Sequence, residues 1–381
     1  MSQSQALLRT LVGFDTTSRE SNLQLIEFVH DYLASFGVAS ERIYNEDRSK
    51  ANLFASIGPV QLPGIVLSGH TDVVPVDGQP WTVPPFELTA SDGKLFGRGT
   101  ADMKGYIACV LALVPALVEA PLRMPVHIAL SYDEEVGCLG VRSLLKVLEQ
   151  RPVKPMLCII GEPTELKPVL GHKGKLAMRC DVHGEACHSA YAPYGVNAIE
   201  HAAELIGELG RIGQQLRGTQ DARFDPPFST VQTGVISGGK ALNIVPADCR
   251  FDFEIRALPS QDPGEVADAL KAYATQQVLP RMQAVSAQSA IHFTELSAYP
   301  GLVTDERSQA AELIAAFSGS REFGTVAFGT EGGLFDAVGI PTVVCGPGSM
   351  DQGHKPDEFV SVDQLAGCDA MLWRMLDSIR A

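Results

Sequence analysis

Two histidines, His70 and His354, and four acids, Asp102, Glu134, Glu135 and Glu162, stand out in this 381-residue chain. Each ends a hydrophobic run or sits beside glycine, where a strand gives way to a loop. In open α/β sheets, ligands bind in the crevice beyond the carboxyl ends of the strands. Residues distant in sequence can therefore converge there. Two imidazoles and several carboxylates in one crevice would suit a pair of divalent ions and the hydrolytic chemistry such pairs support. Zinc is the first expectation, because it accepts both nitrogen and oxygen donors. Cobalt and manganese are the alternatives.

In Ile65-Val66-Leu67-Ser68-Gly69-His70-Thr71-Asp72, an apolar run ends at a histidine with a carboxylate two residues later. Residues i and i+2 of an extended chain share a face. Asp72 is thus placed to hold the far nitrogen of His70 and set its tautomer. Asp102 lies in Gly97-Arg98-Gly99-Thr100-Ala101-Asp102-Met103-Lys104-Gly105, ahead of an apolar run that reads as a buried helix. The same aspartate could serve as that helix's N-cap. Residues 126–131 form a strand that runs into Asp133, Glu134 and Glu135, three acids that repel one another unless a cation or proton intervenes. Glu162 repeats the arrangement after residues 157–161, and His354 follows the strand and glycine turn of residues 341–348.

The elements that must position these residues follow from periodicity. Over residues 1–174 helical and strand patterns alternate, with helices expected at 23–35 and 140–149, the signature of a mostly parallel sheet covered by helices. Residues 175–294 read strand, helix, strand, strand, helix, strand, which fits a small split βαβ sandwich. Its helices are expected at 196–211 and 264–278, and its strands at 175–182, 230–236 and 247–255. The α/β pattern resumes near 295 and ends in a helix over 362–378. The expectation is a discontinuous catalytic domain, 1–174 plus 295–381, with an insert at 175–294.

With these segments in place, the chain resembles the dinuclear-zinc N-deacylases and exopeptidases typified by acetylornithine deacetylase and succinyl-diaminopimelate desuccinylase. The likeness runs from Ser68-Gly69-His70-Thr71-Asp72 to His354-Lys355-Pro356-Asp357-Glu358, with every ligand type in the family's order. It implies a zinc-exopeptidase-like α/β catalytic domain carrying an inserted ferredoxin-like α+β domain that serves dimerisation or acts as a lid. It also implies that His70 and Glu162 bind one metal, that Glu135 and His354 bind the other, and that Asp102 bridges them. Glu134 would be the general base, with Asp72 behind His70. The residues by themselves do not say which of Glu134 and Glu135 is base and which is ligand.

Within the insert, His188 in His183-Gly184-Glu185-Ala186-Cys187-His188-Ser189-Ala190 matches a histidine that stabilises the tetrahedral oxyanion. In dimeric members it comes from the neighbouring subunit. Asn243 and Arg256 match substrate contacts, and the planar fork of Arg256 suits a carboxylate. Read without the resemblance, His188 is a helix-start residue and Arg256 one more outward charge on a half-exposed strand.

Gly161-Glu162-Pro163-Thr164, Gly171-His172-Lys173-Gly174, Gly329-Thr330-Glu331-Gly332-Gly333 and Cys345-Gly346-Pro347-Gly348 look more like the deacetylase than the desuccinylase. The implied reaction is hydrolysis of N2-acetyl-L-ornithine to L-ornithine and acetate, in arginine biosynthesis. Glu331 is then a candidate partner for the cationic side chain, or a cap for the segment after it. Acetylcitrulline, succinyl-diaminopimelate and dipeptides stay open as substrates, since one methylene is worth only about 1–3 kcal/mol of discrimination. A non-catalytic binding protein on the same fold would be expected to have lost a ligand or the base, and none is lost.

Composition excludes more than it adds. The net charge is −15 at pH 7, which argues against nucleic-acid binding. The longest apolar stretch, residues 107–118, is too short to span a bilayer. The first residues show no basic start and no secretory hydrophobic core. The eight cysteines are scattered with no CxxC pair and read as buried thiols in a reducing compartment. The expectation is a cytoplasmic enzyme of small N-acyl amino acids, homodimeric through its insert, with neither nucleic acid nor membrane as a partner.

Overall fold

Short apolar runs bounded by glycine or polar turns become strands, and the longer periodic runs between them become helices. The computed structural model describes residues 1–381. Its N-terminal part gives α1 (Gln3–Val12), α2 (Leu23–Ser35), β1 (Ser40–Tyr44), β2 (Ala51–Ile57) and β3 (Ile65–His70). There follow β4 (Thr89–Ser91), β5 (Lys94–Phe96), α3 (Lys104–Glu119), β6 (Val126–Ser131), α4 (Val141–Glu149), β7 (Leu157–Pro163) and β8 (Val169–His172). The middle gives β9 (Gly174–His183), α5 (Ala198–Leu216), β10 (Thr230–Gly238), β11 (Asp248–Ala257), α6 (Pro263–Tyr273), α7 (Leu279–Gln283) and β12 (Ala290–Tyr299). The remainder is β13 (Leu302–Val303), α8 (Gln309–Ser318), β14 (Gly324–Val326), α9 (Gly332–Ala337), β15 (Thr342–Gly346), β16 (Phe359–Ser361) and α10 (Val362–Ile379).

Two units emerge. The first comprises Met1–Gly171, Leu302–Thr325 and Thr330–Ala381; the second comprises His172–Gly301 and Val326–Gly329. In the first, the main sheet runs β1-β2-β6-β3-β7-β15-β8-β13, with β14 paired to β8. The inner pairs β3/β6, β3/β7 and β7/β15 are parallel. Every residue of β3, β6, β7 and β15 is buried, as parallel strands covered on both faces require. Helix α3 is buried over eight consecutive residues, Lys104 to Leu111. It starts two residues before the apolar run suggests and continues past Pro115 to Glu119. Its Tyr106 ring lies so close to β7 that a side chain at Gly161 would come within 2.0 Å of it.

Register fixes the crevice. Pairing sets His70 against Ser131 across β3/β6 and Ser68 against Ile160 across β3/β7. The carboxyl ends of three adjacent strands thus open on one edge, with His70, the Glu134–Glu135 loop and Glu162 side by side.

In the second unit the sheet order is β10-β11-β9-β12, with all pairs antiparallel. With α5 and α6 this is the ferredoxin-like arrangement. Alternating residues of β9 and β11, among them Met178, Cys180, Phe251 and Phe253, pack against Leu205, Leu209 and Leu270 of the helices. Helix α5 starts at an Asn197 cap and runs five residues beyond the expected end at 211. Helix α6 stops at Tyr273 and continues as one π turn to Val278. No helix is long and apolar enough to cross a membrane.

Candidate metal centre

Asp102 sits between two histidines. His70 closes β3 and places Nε2 at 2.9 Å from Asp102 Oδ1 and 3.6 Å from Glu162 Oε1. On the other side, His354 Nε2 lies 3.3 Å from Asp102 Oδ2 and 3.0 Å from Glu135 Oε2. Two donor groups result: His70, Asp102 and Glu162, and Asp102, Glu135 and His354, each with its ligand atoms within 4.8 Å of one another. They share one carboxylate, a different oxygen facing each group. The helix-cap alternative for Asp102 is not what forms: Met103 occupies that position, and no side chain caps α3.

Behind His70 the arrangement differs from the expected contact. Nδ1 bonds the backbone oxygen of Asp72 at 2.9 Å, and the Asp72 carboxylate stands 3.6 Å away. That carboxylate is taken up elsewhere. It accepts from Ser18 Oγ at 2.7 Å and from the backbone N–H groups of Glu134 and Glu135 at 3.1 and 3.2 Å. Asp72 therefore ties the histidine strand to the acidic loop. Lys50 secures the same loop at Asp133 Oδ1, 2.5 Å away. Ser18 and Lys50 carry no motif and escape sequence reasoning; only the register of distant strands brings them here.

The charges strain one another. Burial, followed by neighbouring carboxylates, pushes Glu134 and Glu162 well above the ordinary carboxylate range, though His70 pulls against it. Burial and then the Asp102 charge raise Glu135 to about 7. Burial opposes the charge of Asp102 as well, yet His354 and His70 hold its pKa well below the usual range. For His70, burial favours the neutral ring, but Asp102, Asp72 and Glu162 outweigh it. Asp102 and Glu135 raise His354 to about 10. The cluster thus balances its charge by moving protons onto imidazoles and carboxylates. Divalent cations would balance it with each ligand in its binding form, neutral imidazole and ionised carboxylate. One oxygen of Glu135 is also buried with no hydrogen-bond partner. The donor set fits metal ions.

Residues 66–378 match the model of the peptidase family M20/M25/M40. The chain belongs to this family. It is 36% identical over 369 residues to acetylornithine deacetylase of Pasteurella multocida (strain Pm70), covering 96% of this chain and 94% of the relative. The acetylornithine deacetylase of Myxococcus xanthus is also 36% identical, over 376 residues, covering 97% and 96%. Among solved structures, the M20 family metallo-carboxypeptidase Sso-CP2 of Sulfolobus solfataricus superposes with a TM-score of 0.78 at 19% identity, covering 99% of both chains. This M20 chain is therefore a metal-dependent hydrolase with the family's α/β fold.

The other residues singled out in this M20 sequence divide between the two units, with Glu331 in the first and near enough for its charge to act on Glu134. His188, Asn243 and Arg256 belong to the second unit. His188 is exposed and begins a short 3-10 turn; its Nδ1 accepts from the Ala190 N–H at 3.1 Å. That bond leaves Nε2 as the donor of the neutral ring. Arg256 bonds the Tyr299 hydroxyl at 2.9 Å and Glu254 at 3.3 Å, so it is a held residue, not a free surface charge. Glu331 heads α9 without capping it through its side chain. It is 1% exposed, with one carboxylate oxygen unpartnered, and burial raises its pKa to about 7.

Proposed function

We propose that this enzyme cleaves the amide bond of an N-acyl amino acid, N2-acetyl-L-ornithine first, releasing L-ornithine and acetate in arginine biosynthesis. The observation that carries the reading is Asp102 dividing its two oxygens between two histidine-containing donor groups. The names of the two 36% identical relatives support the substrate.

His70, Asp102 and Glu162 would hold one divalent ion, and Asp102, Glu135 and His354 the second. Zinc suits these mixed nitrogen and oxygen donors, with cobalt and manganese the alternatives. Bound, the pair supplies Lewis acidity that activates water and polarises the acyl carbonyl. Glu134 lies outside both donor groups and acts as general base. It takes a proton from the attacking water as the oxygen bonds to the acyl carbon. It returns that proton to the nitrogen as the C–N bond breaks.

His188 donates from Nε2 to the oxyanion, contributed by a second copy of the chain in a homodimer formed through the second unit. Asn243 and Arg256 contact substrate, Arg256 at its carboxylate. Glu331 faces the cationic side chain. The reaction takes place in the cytoplasm.

The test is steady-state hydrolysis of N-acetylornithine, N-succinyl-diaminopimelate and a dipeptide by one zinc-loaded preparation, with a chelated control. Chelator-sensitive preference for N-acetylornithine supports the reading. Preference for the dipeptide would move the enzyme to the exopeptidases, and turnover of none with both ions bound would overturn catalysis itself.

A further inference from the structure

His70 and Glu162 are set by strand register, for they sit in β3 and β7. Asp102 and His354 are not. Both lie on loops, and His354 adopts left-handed backbone, φ 61°, unusual for a residue with a side chain. Something else must hold these two at their spacing.

Both loops converge on one buried ion pair. Arg98 Nη1 donates to Glu358 Oε2 at 2.7 Å, each side chain only 1% exposed. The same Glu358 oxygen accepts from Gly99 N–H at 2.9 Å, and its other oxygen accepts from the N–H groups of Ala101 and Asp102 at 2.9 and 3.0 Å. The backbone that carries the shared carboxylate is thus wrapped around Glu358. Arg98 reaches the other loop once directly and once through Gln79. Its Nη1 donates to the carbonyl of Lys355 at 3.2 Å, and its Nη2 donates to Gln79 Oε1 at 2.6 Å. Gln79 Nε2 in turn donates to the carbonyl of His354 at 3.0 Å.

We infer that Glu358, Arg98 and Gln79 are positioning residues that hold Asp102 and His354 at the separation one ion requires: the ion held by Asp102, Glu135 and His354 depends on all three, whereas the ion held by His70, Asp102 and Glu162 depends on Glu358 through the shared Asp102 and not on Gln79. This rests on the two-ion reading above. Charged neighbours explain why the brace is ionic: a carboxylate can gather three backbone N–H groups that a neutral side chain could not. They also explain why it needs Arg98, since a buried carboxylate without a cationic partner is strongly destabilising.

Gln79→Met is the informative variant. It keeps side-chain length at a half-buried position and removes the links to His354 and Arg98. Metal-free native chain and variant are titrated with Zn²⁺ against a chromophoric chelator, and their metal-free melting temperatures are compared to establish that the fold is kept. The expected result is two ions in the native chain, with the variant keeping one at native affinity and binding the other about 10–100-fold more weakly, the usual effect of losing a residue that orients a ligand. Glu358→Gln should weaken both ions, because the Asp102 that it holds is shared. Unchanged binding of both ions in Gln79→Met, or equal weakening of both in that variant, overturns the brace. A native chain that takes up fewer than two ions overturns the two-ion reading, and the brace with it.

Discussion

The backbone N–H of Glu134 donates to Asp72 Oδ1 at 3.1 Å, so the residue behind His70 also holds the loop of the proposed base. Asp72→Ala frees that loop and the His70 strand together. Zinc affinity and kcat should each fall about 10–100-fold, with KM within a few-fold of native. Chelator competition and steady-state kinetics on the same preparation check this; a variant altered only in KM would assign Asp72 to substrate binding.

Glu134→Gln separates base from ligand. Both ions should remain by elemental analysis while kcat drops about 10²–10⁴-fold, the usual weight of general acid–base catalysis. Loss of an ion would instead make Glu134 a ligand, and near-native turnover with both ions present would remove it from the chemistry.

His188→Ala should lower kcat by about 10²–10³-fold, as loss of an oxyanion donor does, with metal content unchanged. Action from a second copy has its own signature. Mixed with Glu134→Gln chains and allowed to exchange subunits, the two inactive variants should regain activity. Proven exchange without recovery places His188 outside catalysis in trans.

Glu331→Gln tests specificity. If the buried carboxylate faces the cationic side chain, KM for N-acetylornithine should rise more than tenfold while KM for a neutral N-acetyl amino acid stays level. Equal losses on both would mean that Glu331 acts through its neighbours.

Stability should weaken in acid through His127. Its Nδ1 is bonded to Ser56 Oγ at 2.8 Å and its ring stacks on Phe54. Burial, aided by the Arg151 charge, lowers its pKa to about 4, against about 6.5 in the unfolded chain. The fold therefore favours the neutral ring. That contribution is complete above pH 6.5 and is lost as pH falls towards 4, at most about 3 kcal/mol. In melting curves of the metal-free chain, His127→Phe should flatten the dependence of Tm on pH over that interval. An unchanged slope would show that other groups carry it.

How much was legible depends on whether a residue's partner is near in sequence or near only in the fold. His70, Glu134, Glu135 and Glu162 announce themselves because the apolar runs before them are inner strands, and strand ends share an edge. The limits of α2 follow directly from its periodic pattern. The bond from His70 to the Asp72 backbone was not readable, because the Asp72 carboxylate is claimed by Ser18, 54 positions away. Arg98 and Glu358 lie within segments that sequence reasoning had marked, yet their pairing spans 260 positions. The extension of α5 past 211 carries its own signal, since Ile212 and Leu216 continue the apolar spacing of Leu205 and Leu209, and the expected end at 211 stopped short of them.

The place of β15 between β7 and β8 bears on the order in which a ribosome delivers this chain. Residues of the second unit emerge well before β15, and they bring a complete four-stranded sheet and a core of their own. Units of this kind fold as they are made. The main sheet must wait with a one-strand gap in its middle, and the bare edges beside that gap are the kind that pair with other chains. A polypeptide cut short before residue 342 therefore has no finished sheet, lacks His354, and has no hydrolytic activity to release.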